Sequence, residues 1–514
     1  MRTNYFFDNY YILPIVLAAL SLFLFETKKQ QGALFLLFCS ALSLGLLMVR
    51  VDPFLNLWDE QYHALVAKNL IHQPLKPVLI EQPLYGYIEN YWSYCEVWMH
   101  KQPLFLWQMA LSMKIFGCNE LGVRFPSVVM NAAMVFFIFR LGKLFITPKV
   151  GFYSAFVYVF AYFPLEYLTG YYPTDHNDIA FMFYTFASIW ALAEYYNSKR
   201  IVFLVLMGLF SGAAILCKWL TGLLVYAVWA LLIFYNRQQQ PIRKEALNFF
   251  SSLLICLLVF VPWQIFAYLH YPVEYVYEMN FNSKHLFEPL EGHGGTYRFY
   301  YDALSEEFGQ GRFIKPSIIL CFILLVYQIK NTNYKIITFF TTVIIYLFFT
   351  VAATKMIGYV FVIFPLFIIG ITAAAQFVVA KLGSVAIPKI VLKTVFFLCL
   401  VLELYLVADF KKIYNNHHNS ERNVYRTIKL KEKQFFKTLK DKMGNDKYLI
   451  FNCSIIDVNH ITGIFYTGYP CISHMLSAEQ IAYAQNLGYK IIVIDNGKVP
   501  ERIRNDRSVM KVRY

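Results

Sequence analysis

The stretch that decides the fold is 246–269, which reads ALNFFSSLLICLLVFVPWQIFAYL. It contains no Asp, Glu, Lys or Arg, and a helix of this length crosses the roughly 30 Å hydrocarbon core of a bilayer. Similar apolar runs recur from the start of the chain to residue 408. They predict about a dozen membrane-spanning helices, near 10–25, 33–50, 121–144, 149–171, 178–196, 201–219, 221–236, 246–269, 316–330, 335–353, 359–380 and 388–408. The short pair 201–219 and 221–236 could instead form one re-entrant unit.

The composition supports a membrane-embedded chain. Of its 514 residues, 58% are hydrophobic and only 15% are charged, whereas about a quarter of the residues in a soluble domain are charged. Aromatic residues make up 19% of the chain, and Tyr and Trp are favoured at the faces of a bilayer. No small-residue cleavage site follows the first apolar run, so we expect that run to be retained. The predicted fold class is mainly α, a multi-pass helical bundle.

The positions of Lys and Arg between the predicted helices indicate an orientation. Basic residues gather in six loops on one side of the bundle, which the positive-inside rule identifies as cytoplasmic. The other side then holds 51–120, 172–178, 270–315, 354–358 and the tail. We place the short apolar run 104–117 along the interface, because a crossing there would reverse the following loops. We expect a plasma (inner) membrane protein whose soluble mass is external, or periplasmic.

The tail is polar and basic. Residues 411–514 contain 18 Lys or Arg and 9 Asp or Glu, which is most of the chain's net charge of +14. Its predicted elements are strands at 447–452, 490–494 and 509–512 and a helix at 477–487, with Ser477 as N-cap and Gly488 just past the end. We therefore divide the chain into a transmembrane domain, 1–409, with 51–120 as its main external loop, and a small external α/β domain, 410–514.

The charge of the tail bears on its partners. No nucleic-acid recognition motif accompanies it, so we expect no nucleic-acid partner. The tail has no G-x-G-x-x-G opening a helix, so a nucleotide site is not supported either. Membrane lipids with anionic head groups, or phosphate-bearing substrates, fit the positive charge better.

Metal and cofactor motifs are weak in this sequence. The nine cysteines include no C-x-x-C pair. Cys453 and Cys471 share the tail and could form a disulfide in an oxidising compartment, or remain two small buried thiols. The external histidines, at positions 63, 72, 100, 285 and 293, contain no H-x-x-x-H pair. We predict no cofactor, and the spacing offers no support for a divalent metal ion.

Carboxylates at the external face are the strongest chemical signal. Asp59 and Glu60 follow Trp58 at the start of a predicted helix, and Asp175 and Asp178 lie where one span ends and the next begins. Acids in a first helical turn also offset the helix dipole, so Asp59 and Glu60 could be caps or catalytic groups. Two acidic clusters on one side of the membrane are harder to explain by capping. Paired carboxylates can divide general-base and orienting roles between them.

Three lysines are predicted at the same depth. Lys101 precedes the interfacial helix, Lys218 ends an apolar span, and Lys355 lies in the loop 354–358. Each one alone could be a lysine that snorkels to the head groups. Together with the acids they predict a phosphate-binding cluster, because phosphate is recognised by fixed positive charge.

These residues occur in an order that resembles the GT-C membrane glycosyltransferases, especially the lipid A aminoarabinose transferases and the protein O-mannosyltransferases. The resemblance covers about four hundred residues. The matching segments are Asp59-Glu60 to Leu70, Lys101 to Trp107, Arg124 to Ser127, Asn177 to Ile179, Leu216 to Trp219, Pro262-Trp263, Glu291 to Gly295 and Thr354 to Pro365. The chain departs from the usual pattern at Tyr62, His63, His100 and Gln102, which leaves the donor sugar and any metal site open.

The resemblance implies a site and a reaction. Asp59 would deprotonate an acceptor hydroxyl, which attacks the anomeric carbon of a polyprenyl-phosphate sugar with inversion. Asp178, with Asp175 as second candidate, would orient a substrate, and Glu60 would orient the acceptor or cap the helix. Lys101 and Lys355 would hold the phosphate. The other residues predicted to contact substrate are Arg124, Lys218, Tyr62, His63, His293 and Tyr359.

The leading hypothesis is therefore an inverting glycosyltransferase that uses an undecaprenyl-type phosphate donor. Its acceptor would be lipid A, another glycan or a protein. The alternative is a transporter or flippase of lipid-linked sugars. Transporters place charged residues near the middle of the membrane and often show two related halves, whereas here the ionisable residues gather on one face. An assembly protein that docks through its tail would not explain the acidic clusters.

Overall fold

The bundle is almost entirely helical. In the computed structural model, residues 11–81, 84, 92–172, 174–383, 387–444, 446–453 and 459–514 are described. The helices up to residue 407 are α1 (Ile12–Glu26), α2 (Gln30–Met48), α3 (Asp59–Leu70), α4 (Pro103–Phe116), α5 (Glu120–Phe145), α6 (Pro148–Val159), α7 (Tyr162–Leu168), α8 (Asp175–Ser198), α9 (Ile201–Lys218), α10 (Leu224–Tyr235), α11 (Ile242–His270), α12 (Pro272–Lys284), α13 (Phe299–Phe308), α14 (Ile314–Gln328), α15 (Thr332–Val351), α16 (Phe364–Leu382) and α17 (Lys389–Val407).

Helices occupy every one of the predicted span positions. The span predicted at 149–171 is divided into α6 and α7, and a short 3-10 turn, Trp219–Leu223, separates α9 from α10. Within the described residues, seven helical stretches are long and apolar enough to cross a membrane. They are Gln30–Met48, Glu120–Phe145, Ile201–Tyr235, Ile242–His270, Thr332–Val351, Phe361–Leu382 and Lys389–His418. The remaining predicted spans are shorter or more polar, so length and composition alone do not assign them.

Small residues allow the inner helices to approach closely. A Cβ atom added to Gly142 would lie 2.6 Å from the Cα of Gly151 on the next helix. Helices in a membrane associate largely through such close packing. Lipid tails are as apolar as the helix surfaces, so burying one helix against another gains little hydrophobic free energy. The result is a buried centre formed by α5, α6 and α8, against which α4 packs, with α3 next to α4.

The tail contains more helix than its sequence predicts. It begins with α18 (Phe410–His418) and α19 (Ser420–Lys442) and continues with β1 (Tyr448–Phe451), α20 (Asn459–Thr467), α21 (Ala478–Asn486), β2 (Lys490–Asp495), α22 (Glu501–Asn505) and β3 (Val509–Arg513). The strands form one parallel sheet in the order β1-β2-β3. The three predicted strands and the Ser477 cap of α21 match the structure, and Ser477 forms a full capping box with Gln480.

The tail packs directly on the helix that carries the acidic pair. The hydroxyl of Thr462 donates to Gln61 Oε1 at 2.9 Å, and the ammonium of Lys68 donates to the carbonyl of Phe465 at 2.6 Å. Apolar residues of the tail, such as Phe436 and Ile461, belong to the same buried core as the membrane helices. The tail therefore forms one wall around α3.

Candidate active site

Asp59 lies at the first position of α3, and its carboxylate is 17% exposed. The preceding residue, Trp58, has a φ of 65° and makes no side-chain cap. Asp59 Oδ1 is 3.6 Å from the ammonium of Lys101 and 3.9 Å from Nε2 of His63. Burial by itself raises the pKa of Asp59, but nearby positive charge, chiefly that of Lys101, outweighs burial and lowers it. Asp59 is therefore an ionised carboxylate at neutral pH.

The neighbouring Glu60 has a different environment. Its side chain is fully buried and forms two bonds with Arg124, from Nε to Oε1 at 2.6 Å and from Nη2 to Oε2 at 3.0 Å. It also accepts the backbone N–H of Asn56 at 2.6 Å. Arg124 additionally donates to the carbonyls of Val49, Asp52 and Phe54. The structure thus separates the acidic pair into one partly exposed and one enclosed carboxylate.

Asp178 forms a second charged centre. It is buried, pairs through Oδ1 with the ammonium of Lys218, and accepts the hydroxyl of Thr174 at 2.7 Å. A Cβ atom added to Gly358 would lie 2.8 Å from the carboxyl carbon of Asp178. The ammonium of Lys218 also lies 4.6 Å from the centre of the Tyr359 ring. Because Gly358 has no side chain, the carboxylate of Asp178 can lie against the turn Ile357–Tyr359.

Tyr359 connects the two charged centres. Its pKa is raised by burial first, and then by Tyr300 and by the charges of Asp178, Glu291 and Asp59. The two predicted acidic centres therefore act on one hydroxyl group. Of the residues predicted from the sequence, the structure thus pairs Asp59 with Lys101, and it joins Asp178, Lys218 and Tyr359 in a second group.

The ammonium of Lys355 binds the end of α15. Its ammonium donates to the carbonyls of Phe349, Thr350 and Ala352, which lie at the end of α15. Its backbone N–H donates to the carbonyl of His293 at 2.8 Å. In this state Lys355 caps a helix and holds a loop, and three acceptors already surround its charge.

The loop that reaches Lys355 is held by one threonine. Thr354 Oγ1 donates to the carbonyl of Glu288, accepts the N–H of Leu290, and lies 3.0 Å from Nδ1 of His285. The pKa of His285 is lowered to about 4, first by burial and then by the charges of Lys101, His100, His293 and Lys218. His285 is thus neutral near pH 7, and the lysines of both charged centres act on it.

The other predicted residues lie around the site. Tyr62 is fully buried, with its ring 4.8 Å from that of Trp92. His293 is exposed and contributes its backbone carbonyl to Lys355. His63 is fully buried beside Asp59. Asp175 begins α8, but its side chain lies outside the described residues.

Sequence reasoning did not assign a role to His100 or Glu278. Nδ1 of His100 lies 3.0 Å from Oε2 of Glu278, both side chains are buried, and the His100 ring stacks on Trp92 at 4.9 Å. Only the position of His100 beside Lys101 could have signalled this contact, because Glu278 lies far along the chain on α12. Among the described residues there is no group of three or more His, Cys, Asp or Glu that could hold a metal ion.

Part of the sequence is similar to a known protein family and to two known proteins. Residues 100–266 match the family model described as dolichyl-phosphate-mannose-protein mannosyltransferase. An undecaprenyl phosphate-alpha-4-amino-4-deoxy-L-arabinose arabinosyl transferase of Pseudomonas aeruginosa is 28% identical over 168 residues, 31% of this chain and 29% of that protein. An uncharacterized protein of Aquifex aeolicus is 23% identical over 218 residues, 42% of this chain and 40% of the relative. The matched stretches thus span less than half of either relative.

Solved structures extend the likeness to most of the chain. ArnT from Cupriavidus metallidurans, bound to undecaprenyl phosphate, superposes with a TM-score of 0.61 at 12% identity, over 89% of this chain and 88% of ArnT. The oligosaccharyltransferase AglB from Archaeoglobus fulgidus superposes with a TM-score of 0.53 at 9% identity, over 85% of this chain and 64% of AglB. These matches confirm the predicted fold class. In fold over most of its length, and in sequence over residues 100–266, the chain resembles the GT-C membrane glycosyltransferases.

Proposed function

We propose that this protein is an inverting glycosyltransferase that takes a sugar from a polyprenyl phosphate. The observation that carries the proposal is the pairing of a partly exposed, ionised Asp59 with Lys101 at 3.6 Å, beside a second acid–lysine pair. A general base and fixed cations are the two things that transfer from a sugar phosphate requires. The comparisons support this class, because ArnT was solved with undecaprenyl phosphate and AglB with a dolichol phosphate.

In the proposed reaction Asp59 accepts the proton of the acceptor hydroxyl. The hydroxyl oxygen attacks the anomeric carbon from the face opposite the phosphate, and the bond from that carbon to the phosphate oxygen breaks. The bonding pair leaves with the phosphate, whose growing charge is stabilised by Lys101. Lys218 supplies a second cation, and Asp178 holds it in place. Cations aimed at a developing charge in a dry site are effective because little water screens them.

We assign the enclosed residues to support of the site. Glu60 and Arg124 form an ion pair with each other, and both hydrogen-bond the backbone of residues 49–56. We therefore propose that they position α3. Lys355 is surrounded by carbonyl groups at the end of α15, so we propose that it first anchors the loop at His293. It contacts phosphate only after it leaves those carbonyls.

We propose that the donor is an undecaprenyl-type phosphate sugar and that the site faces the outside of the plasma membrane, as the loop charges indicate. The acceptor would be a hydroxyl or phosphate of lipid A, of another glycan or of a protein. The C-terminal domain, 410–514, would lie on the same external side. The contacts between this domain and α3 support the proposal, because they require the domain and the acidic pair Asp59–Glu60 to lie on the same side of the membrane.

The test uses the purified full-length protein in lipid nanodiscs. Undecaprenyl phosphate is titrated first, with binding followed by native mass spectrometry. Labelled mannose, glucose or 4-amino-4-deoxyarabinose on undecaprenyl phosphate is then offered with lipid A or with an envelope extract. We expect label in a new product, and a fall of about 10²- to 10⁴-fold in the Asp59→Asn variant. Asp446→Asn, in an exposed ion pair of the tail, is the matched control.

Two outcomes would contradict the proposal. If Asp59→Asn and Asp178→Asn both kept the wild-type rate, the catalytic assignment would fail. If labelled lipid crossed the membrane in proteoliposomes without forming a new product, the chain would be a transporter of lipid-linked sugars.

A further inference from the structure

His63 has an unusual environment for a buried polar residue. It is fully buried one helical turn after Asp59, and among the described residues neither of its ring nitrogens has a hydrogen-bond partner. Its ring lies 4.9 Å from that of Phe105 and 5.8 Å from that of Trp98. A buried donor without a partner is costly, and native proteins retain such groups mainly where another state satisfies them.

The carboxylate of Asp59, the proposed general base, lies close to His63. Nε2 of His63 lies 3.9 Å from Oδ1 of Asp59, and the ammonium of Lys101 lies 3.6 Å from the same oxygen. Neither separation is a hydrogen bond, whose length between nitrogen and oxygen is about 2.7–3.2 Å. The oxygen is thus shared between a cation and an imidazole, and a small rotation of the carboxylate would bring it to either one.

The charges around His63 favour its neutral form. Burial is the main cause of its lowered pKa; Asp59 opposes this effect, and His176, Lys101 and His100 add to it. These four are the titratable groups that act on the ring. A neutral imidazole has one N–H to donate and one nitrogen to accept, so His63 can donate to Asp59 without competing for its proton.

We propose that His63 is a positioning residue that hydrogen-bonds Asp59 when donor lipid is bound. This inference rests on the proposed function. The phosphate of the donor attracts the ammonium of Lys101 away from Asp59 Oδ1, and the N–H of His63 takes its place. The other oxygen of Asp59 is then held toward the acceptor hydroxyl. In the structure Asp59 Oδ1 lies 3.6 Å from the ammonium of Lys101 and 3.9 Å from Nε2 of His63. The carboxylate is thus between a hydrogen bond to Lys101 and a hydrogen bond to His63.

Three variants separate this role from packing. His63→Phe keeps an aromatic ring and removes the donor, whereas His63→Gln places an amide nitrogen near the position of Nε2. His460→Phe is the matched control. His460 is a buried residue of the tail, and among the described residues its ring nitrogens have no hydrogen-bond partner. Its ring stacks on that of Tyr94, with 4.9 Å between the ring centres. We expect kcat to fall roughly 10- to 100-fold in His63→Phe, with KM for the donor lipid unchanged. His63→Gln should stay within about threefold of wild type, since its amide donates the same hydrogen bond.

A spectroscopic measurement tests the hydrogen bond without turnover. The protein is labelled with ¹⁵N at histidine, and solid-state NMR spectra are recorded with and without undecaprenyl phosphate, the His63 signals being assigned by their loss in His63→Phe. We expect one ring nitrogen of His63 to shift to a hydrogen-bonded position in the lipid complex. The shift should be absent in Asp59→Ala, whose side chain has no oxygen to accept the hydrogen bond.

The outcomes are distinguishable. Equal loss of kcat in His63→Phe and His63→Gln, or a shift that survives in Asp59→Ala, overturns the positioning role and leaves the proposed function standing. A wild-type protein that neither binds undecaprenyl phosphate nor transfers sugar overturns the proposed function. Without binding of the donor lipid, His63 has no reason to move to Asp59, so this outcome also contradicts the positioning role of His63.

Discussion

Arg124 binds Glu60 through two parallel hydrogen bonds of 2.6 and 3.0 Å, and neither side chain has any exposed surface. Gly170, with a φ of 80°, lies against this pair, where an added Cβ atom would be 2.9 Å from Oε1 of Glu60. The pair joins α5 to the backbone that leads into α3. The start of α3, where Asp59 lies, is therefore held by a buried ion pair that has no exposed surface of its own.

Breaking this pair is expected to unfold the external loop. Glu60→Gln or Arg124→Met leaves one buried charge without its counter-ion, which costs about 3–5 kcal/mol. We expect a clearly lower melting temperature in detergent for either single variant, and partial recovery in the double variant Glu60→Leu with Arg124→Met. The exposed pair Lys490–Asp446 is the control, and its loss should leave the melting temperature unchanged. An unaltered melting temperature in Glu60→Gln would contradict the positioning role.

Gly358 should be sensitive to the smallest possible side chain. A Cβ atom there would lie 2.8 Å from the carboxyl carbon of Asp178, so Gly358→Ala must displace the carboxylate or the turn. We expect a folded protein whose transfer rate is reduced at least tenfold, since a misplaced catalytic group commonly costs more than that. Gly444→Ala is the control, because a Cβ atom there meets nothing within 4 Å. Full activity in Gly358→Ala would show that Asp178 needs no fixed position.

The loop at His285 should loosen in acid. The pKa of His285 is lowered to about 4 in the folded protein, against 6.5 in an unfolded chain, so the unfolded form binds the proton more readily. The docking of His285 on Thr354 is therefore fully stable above pH 6.5 and weakens as the pH falls toward 4. We expect the protection factors of residues 286–295, which are corrected for the slower intrinsic exchange in acid, to fall over this window. In His285→Gln this fall should disappear, and an unchanged profile would exclude His285 as its source.

The tail should stabilise the loop before α3. Arg422 donates to Asp52 Oδ2 at 2.6 Å and Arg426 donates to Oδ1 at 2.8 Å, whereas Asp52 is fully buried. Replacing both arginines by Ala leaves Asp52 with fewer counter-charges, and we expect a lower melting temperature and slower transfer. Arg502→Ala, on an exposed face of α22, is the control. Equal melting temperatures for the two proteins would show that the tail does not support the loop.

Much of the site could be predicted from local sequence. Asp59 and Asp178 were identified as acids at helix starts on the same predicted side of the membrane, and Lys101 and Lys218 because they lie at the same predicted depth. In the structure Asp59 pairs with Lys101 and Asp178 pairs with Lys218. Lys355 satisfied the same criterion, yet its ammonium turns back to the end of α15. The depth of a residue follows from its position in the chain, but the direction of a long flexible side chain does not.

Contacts between distant segments were beyond such prediction. The pairing of His100 with Glu278, of Glu60 with Arg124, and of Asp52 with the arginines of α19 joins residues between 64 and 374 positions apart. The helices of the tail before β1 were also missed. In the structure α19 packs on α20 and reaches the loop 49–57 through Tyr425, and neither contact could be read from the sequence of the helix.

The sequence by itself determined that this chain is a helical membrane bundle, because the length and charge of an apolar run are local properties and a bilayer acts on them directly. Only the tertiary structure decided which of two adjacent acids is available for chemistry. Asp59 and Glu60 are neighbours with the same charge, and nothing local separates them. Successive residues on a helix point in directions about 100° apart, so one carboxylate meets the buried Arg124 while the other is left partly exposed beside Lys101 and His63.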